Sequence, residues 1–233
     1  MVAEGPSTKF VFPRWANYLL LVLVVGGAGG ALYVPVLFGF GASPRTLYVG
    51  YQPEQPVAYS HALHAGKLGI DCRYCHIGVE KGPHATLPAT QTCMNCHSSI
   101  KTDSPNLIRL RESWATGKPV EWVRVHDLPD YVYFNHSAHV NRGVGCASCH
   151  GRIDQMDVVQ QAMPLSMGWC LECHRNPEKN LRPISEITNM AYKPEPKPDE
   201  TAVAAQLRVG NELKQLYHTR DKTYMTSCST CHR

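Results

Sequence analysis

Phenylalanine is scarce, with five in 233 residues, and the hydrophobic fraction is only 43%. That is thin material for packing one or two conventional domains, so the interior must draw apolar surface from something other than side chains. Charge of one sign is also lacking. The net charge is +4, without a dense basic run, which argues against nucleic acid as a partner and leaves only a weak preference for acidic surfaces. No phosphate-cradling loop, activated nucleophile or acid/base pair stands out, so hydrolytic and phosphoryl-transfer chemistry has no candidate residues and no catalytic residue is assigned. No charged residue occurs from Trp15 to Ala42. Nor is any cysteine left to form a disulfide framework, because all ten fall into one repeated motif.

That motif is CxxCH. It occurs at Cys72, Cys75 and His76; at Cys93, Cys96 and His97; at Cys146, Cys149 and His150; at Cys170, Cys173 and His174; and at Cys228, Cys231 and His232. Paired cysteines also bind zinc, form redox dithiols or staple secreted domains, but none of these requires a histidine directly after the second cysteine. Covalent attachment of haem does: two thiols add to the two porphyrin vinyl groups, and the adjoining imidazole turns onto the iron as proximal ligand. Five motifs imply five c-type haems. The expected fold is therefore mainly helical with much irregular structure, its core largely haem, and folding depends on the cofactor.

The uncharged stretch is the second organising feature. Tyr18 to Phe40 would span about 34 Å as a helix, enough for a bilayer core of roughly 30 Å, and it is longer than the apolar region of a cleavable signal peptide. A retained anchor is the expected reading. Lys9 and Arg14 precede it, which places the N-terminus in the cytoplasm and the rest outside, on the oxidising side where c-type haem is attached. Gly26 and Gly30 have the spacing that lets transmembrane helices approach closely, and Pro35 is expected to kink the outer third. The expected organisation is residues 1–43 as N-terminus and single transmembrane helix, 44–56 as an extended tether, and 57–233 as a periplasmic pentahaem domain.

Within that domain, residues 57–97 and 132–174 read as two copies of one dihaem module, with the fifth haem at 228–232. Each copy runs aromatic, polar, HxxH, short loop, CxxCH: Tyr59, Ser60, His61 and His64 in the first; Phe134, Asn135, His136 and His139 in the second. On a helical turn the two histidines share a face and can reach irons on either side. Zinc would need further ligands that the committed cysteines cannot give. His61, His64, His136 and His139 are thus candidate distal ligands. The fifth distal position has candidates in His84, His126 and His218 and in Met163, Met167 and Met225. His126, between the modules, comes first; Met167, three residues before Cys170, would give a His/Met haem of higher potential. A capped amphipathic helix is predicted around 104–116, and a second amphipathic helix, 199–217, follows an exposed proline-rich linker at 193–198 and leads to the last haem.

The HxxH pattern resembles the small multihaem cytochromes of the tetrahaem class. That resemblance implies that the first histidine of each pair caps the following haem (His61 with His76, His136 with His150) and the second caps a neighbour. The whole chain, through GKLGID before Cys72, TCMNCH at 92–97, VYFNHSAH at 132–139 and SMGWCLECHR at 166–175, resembles the pentahaem membrane-anchored cytochrome subunit of alternative complex III. The resemblance implies an electron-transfer subunit rather than an enzyme. It would work beside integral membrane quinone-binding subunits, an iron-sulfur subunit and a monohaem cytochrome c, passing electrons from quinol to a periplasmic cytochrome c or copper protein at the bacterial inner membrane. A nitrite-reducing multihaem enzyme would call for a CxxCK motif, which is lacking, and an anchored tetrahaem quinol dehydrogenase would have four motifs rather than five.

Overall fold

The computed structural model describes residues 12–41 and 48–232. Lys9 and the start of the tether at 44–47 lie outside the described residues. The chain divides into two compact units, Met1–Thr46 and Leu47–Arg233.

Among the described residues the first unit holds one helix, α1, Ala16–Gly41, with no buried side chain. Its 26 residues rise about 39 Å at 1.5 Å per residue, and it is long and apolar enough to cross a membrane. Pro35 lies inside it, and a Cβ at Gly26 or Gly30 would meet nothing, so the small-residue face is open.

In the second unit short helices are joined by irregular chain, and among the described residues the only β pairing is the bridge between Val144 and Leu181. A single π turn, Ala62–Lys67, follows His61. The α-helices are α2 Cys72–Cys75, α3 Thr90–His97, α4 Ile108–Thr116, α5 His136–Val140, α6 Ala147–His150, α7 Met167–Arg175, α8 Ala202–Leu216, α9 Lys222–Met225 and α10 Cys228–Cys231. Helices this short are marginal by themselves and need their ends satisfied. The side chains of Asp71, Asn135, Ser166, Thr201 and Asp221 accept backbone N–H bonds at the starts of α2, α5, α7, α8 and α9. Gly117, at φ +71°, ends α4 in the left-handed conformation that glycine tolerates.

The polypeptide core is small. Val57, Leu110, Val140, Leu181, Ile187, Ala205 and Leu213 are the buried apolar side chains among the described residues. Two of them, Ala205 and Leu213, come from α8, which packs on the loop 177–181: Gln206 donates to the carbonyls of Glu178 and Leu181, and Lys214 pairs with Glu178. Gly210 permits that approach, since a Cβ there would lie 1.9 Å from the Glu178 carbonyl oxygen.

One boundary differs from expectation. Residues 48–56, read as tether, are bonded onto the second unit. Gly50 N–H donates to Gln161 O and Gln161 N–H to Tyr51 O, while Gln55 exchanges two hydrogen bonds with the Val123 backbone. Backbone pairing of this kind depends on a segment a hundred residues away, which local composition does not reveal.

Candidate haem-binding sites

Each CxxCH motif closes one helical turn. The histidine N–H donates to the carbonyl of the first cysteine in the first, third and fifth motifs, at 2.9, 3.0 and 2.8 Å. With i and i+3 on one face, both thiols point the same way and the imidazole follows beside them. The thiols are free. Burial pushes Cys75, Cys93, Cys149, Cys170 and Cys173 up, Cys149 to about 12 with help from the thiols of Cys173 and Cys170, the opposite of the shift that redox dithiols and zinc thiolates need, while Cys72 beside Cys146 is lowered. Among the described residues no cluster of three or more metal-binding side chains surrounds a single point.

The histidines share a second regularity. Nδ1 of His76 donates to Thr86 O, of His97 to Ile100 O, of His174 to Met225 O and of His232 to Tyr131 O, at 2.8 to 3.1 Å. Nδ1 of His64, His136 and His139 donates likewise to Ser60, Pro83 and Asn135 carbonyls, at 2.7 to 2.8 Å. A carbonyl can only accept, so the hydrogen is on Nδ1 and the Nε2 lone pair is left for a metal. His61 and His150 differ: their Nδ1 atoms are buried without a partner. Burial first, then neighbouring imidazoles, lowers His61 to about 4 and His150 to about 3, so both rings are neutral, the form that binds iron.

Ring spacings bring these residues into pairs. Two imidazoles on opposite sides of one metal, with bonds of about 2 Å, have centroids about 6 Å apart. His64 and His97 are 6.2 Å apart, His136 and His150 6.5 Å, and His139 and His174 6.0 Å. His61 interacts electrostatically with His76. The aromatic residue two positions before each HxxH has a role that the sequence pattern marks without explaining. Tyr59 stands edge-on to His61 at 4.8 Å and lies over His64 at 4.4 Å; Phe134 does the same to His136 at 4.7 Å and His139 at 4.6 Å. The two copies thus reproduce one geometry.

The fifth distal position is less regular. His126, the first candidate for this position, has a buried Nε2 without a hydrogen-bond partner, and its ring stands edge-on to His150 at 4.5 Å, so those two rings do not share one iron. Met167 is exposed at the first turn of α7, and His218 lines a basic cleft with Arg142, Lys214 and Arg220. The described ring contact of His232 is Tyr131.

The surroundings suit a large apolar group. A cavity of about 280 Å³ beside Cys93 is lined by Leu87, Leu110, Val120 and Trp122, under α4. Tyr74, Ile77, Ile100 and Tyr224 are exposed apolar side chains within four residues of a motif. Thiols, neutral imidazoles with oriented Nε2 atoms and apolar walls together fit c-type haem.

No protein-family model matches the chain. It is similar to the multiheme cytochrome c subunit of menaquinone reductase from Nitratidesulfovibrio vulgaris, with 39% identity over 120 residues. The match takes in 51% of this chain, which spans about half the length (55%) of that curated relative.

Proposed function

We propose that this chain is a membrane-anchored multihaem cytochrome c that relays electrons within a quinone-linked complex. The observation that carries the reading is the set of imidazole pairs about 6 Å apart, each histidine adjoining a CxxC turn facing one from an HxxH turn. Haem, when bound, supplies a one-electron iron couple. The chain's own residues do the rest. Cys72 and Cys75, Cys93 and Cys96, Cys146 and Cys149, Cys170 and Cys173, and Cys228 and Cys231 would hold five haems. His76, His97, His150, His174 and His232 would be proximal ligands, and His61, His64, His136 and His139 would close the first four sites. A site with both axial positions closed has no place for substrate, which supports an electron-transfer subunit over an enzyme.

In the finer reading, α1 anchors the chain in the inner membrane with its N-terminus cytoplasmic and residues 57–233 periplasmic. The chain would be the pentahaem subunit of an alternative complex III, beside quinone-binding, iron-sulfur and monohaem subunits, delivering electrons to a periplasmic cytochrome c or copper protein. The similarity does not single out that complex. The relative is named for a menaquinone reductase, which favours a second reading in which electrons run toward the quinone. In the purified native complex, menaquinol should reduce the haem bands under the first reading, and a reduced periplasmic carrier should reduce menaquinone through them under the second. Failure of the haem bands to exchange electrons with either would overturn the proposal.

A further inference from the structure

The motifs do not follow one another in space as they do in sequence. Asn95, inside the second motif, donates to the Tyr74 hydroxyl inside the first at 3.0 Å, and His64, on the turn that carries His61, faces His97. Asp71, which caps the first motif, accepts from Thr188 at 2.8 Å, while Cys146, opening the third, donates to Ile187 O at 3.2 Å. Successive residues of one segment therefore hold the first and third motifs together. Helix α5 joins the third and fourth, with His136 facing His150 and His139 facing His174. His174 donates to the Met225 carbonyl, three residues before the fifth motif.

Among the described hydrogen bonds, none joins residues 93–97 to the third, fourth or fifth motif. Exposure has the same pattern. Of the ten cysteines, Cys96 and Cys228 are exposed and the other eight half-buried.

We infer that the five sites are strung in the order second, first, third, fourth, fifth, so that Cys93 to His97 and Cys228 to His232 form the two ends where the chain exchanges electrons with other proteins. The first motif is interior although it leads the sequence. This inference rests on the haem-binding reading above. A linear run with one end at each partner needs its outermost cofactors near the surface, and these two motifs supply the exposed cysteines.

The test is magnetic coupling between ferric haems in the oxidised full-length holoprotein. The double variant Cys72→Ala/Cys75→Ala removes the first haem and should detach the second from the run, giving one isolated low-spin resonance. Cys93→Ala/Cys96→Ala removes an end and should leave four haems coupled. The reverse pattern, with isolation only in the second variant, would overturn the order and restore that of the sequence. Should either double variant fail to mature, His61→Met and His64→Met keep the haems and raise one potential each. His61→Met should then displace the potentials of two further haems and His64→Met of one, and equal numbers would overturn the order. The haem content of the unmutated protein separates the two failures: without covalent low-spin haem the haem reading itself falls, and with it present a wrong coupling pattern sinks the order alone.

Discussion

A carbonyl that takes the Nδ1 hydrogen fixes the tautomer that leaves Nε2 for a metal, and here seven backbone carbonyls do so. Replacing His139 by Ala removes the ring 6.0 Å from His174, and replacing His136 removes the ring 6.5 Å from His150. Each variant should convert one haem to high spin, a different one in each case, detectable by magnetic circular dichroism. An unchanged spectrum in either would refute that pairing. His126, with its Nε2 buried and unpartnered, is the proposed fifth distal ligand, so His126→Ala should likewise turn one haem high-spin. An unchanged spectrum would leave the fifth position to Met167 or His218. The CxxCH and HxxH residues were legible because their spacing is dictated by covalent and helical geometry. The pairing of His64 with His97 and of His139 with His174 was not, because it depends on where loops of sixteen to twenty residues return. The carbonyls of Thr86, Ile100 and Met225 carry no side-chain signature at all.

At the scale of elements, the short motif helices persist because their ends are tied down. Asp71 is the clearest case. It caps α2, pairs with Arg73 and accepts from Thr188, and chiefly its hydrogen bond with Arg73 lowers it from 3.8 to about 2. A carboxylate depressed on folding contributes stability that is fully present above about pH 4 and is lost as pH falls through about 2. Asp71→Asn should therefore lose this acid-dependent increment in thermal melts between pH 2 and 4, and Asp71→Ala should cost about 1 kcal/mol more generally through the missing cap. A variant with the wild-type pH profile would show the pairing to be inconsequential. Gly210→Ala should cost 1 to 3 kcal/mol or more, on the order expected for overpacking, because α8 must lift off the Glu178 carbonyl. An unchanged melting temperature would contradict that contact. Helices α4 and α8 were legible from their apolar spacing, and the end of α4 from Gly117, with starts shifted by a few residues; Ser104, expected to cap α4, makes no capping bond, and the Thr201 cap of α8 was not foreseen. The docking of residues 48–56 was not, since Pro, Gly and Gln composition describes a mobile tether and a pinned one equally well. Helix α1 was legible from length and the lack of charge alone, and alkaline carbonate should leave the protein in the membrane pellet.

For the whole molecule, what matters is how many irons are closed. Among the described residues, seven buried apolar side chains are few for the second unit, a deficit that bound porphyrins would make up under the proposed function. Intact mass should therefore exceed that of the bare chain by five haems, with pyridine haemochrome giving the same stoichiometry; four or fewer in matured protein would contradict the motif count. Ligation can then be probed with carbon monoxide, which binds ferrous haem where the sixth position is open or weakly held. The first four sites each have a histidine from an HxxH turn available to close them, and Tyr59 or Phe134 packs against both imidazoles of each turn, so those ligands are stiffly held. The fifth, at His232, has only the Tyr131 ring described against it. The reduced holoprotein should accordingly bind at most one carbon monoxide, and any that binds should be abolished when Cys228 and Cys231 are replaced by Ala. Uptake of two or more would mean that the HxxH turns do not close their sites, and an open-site reductase would then become the better account of the chain.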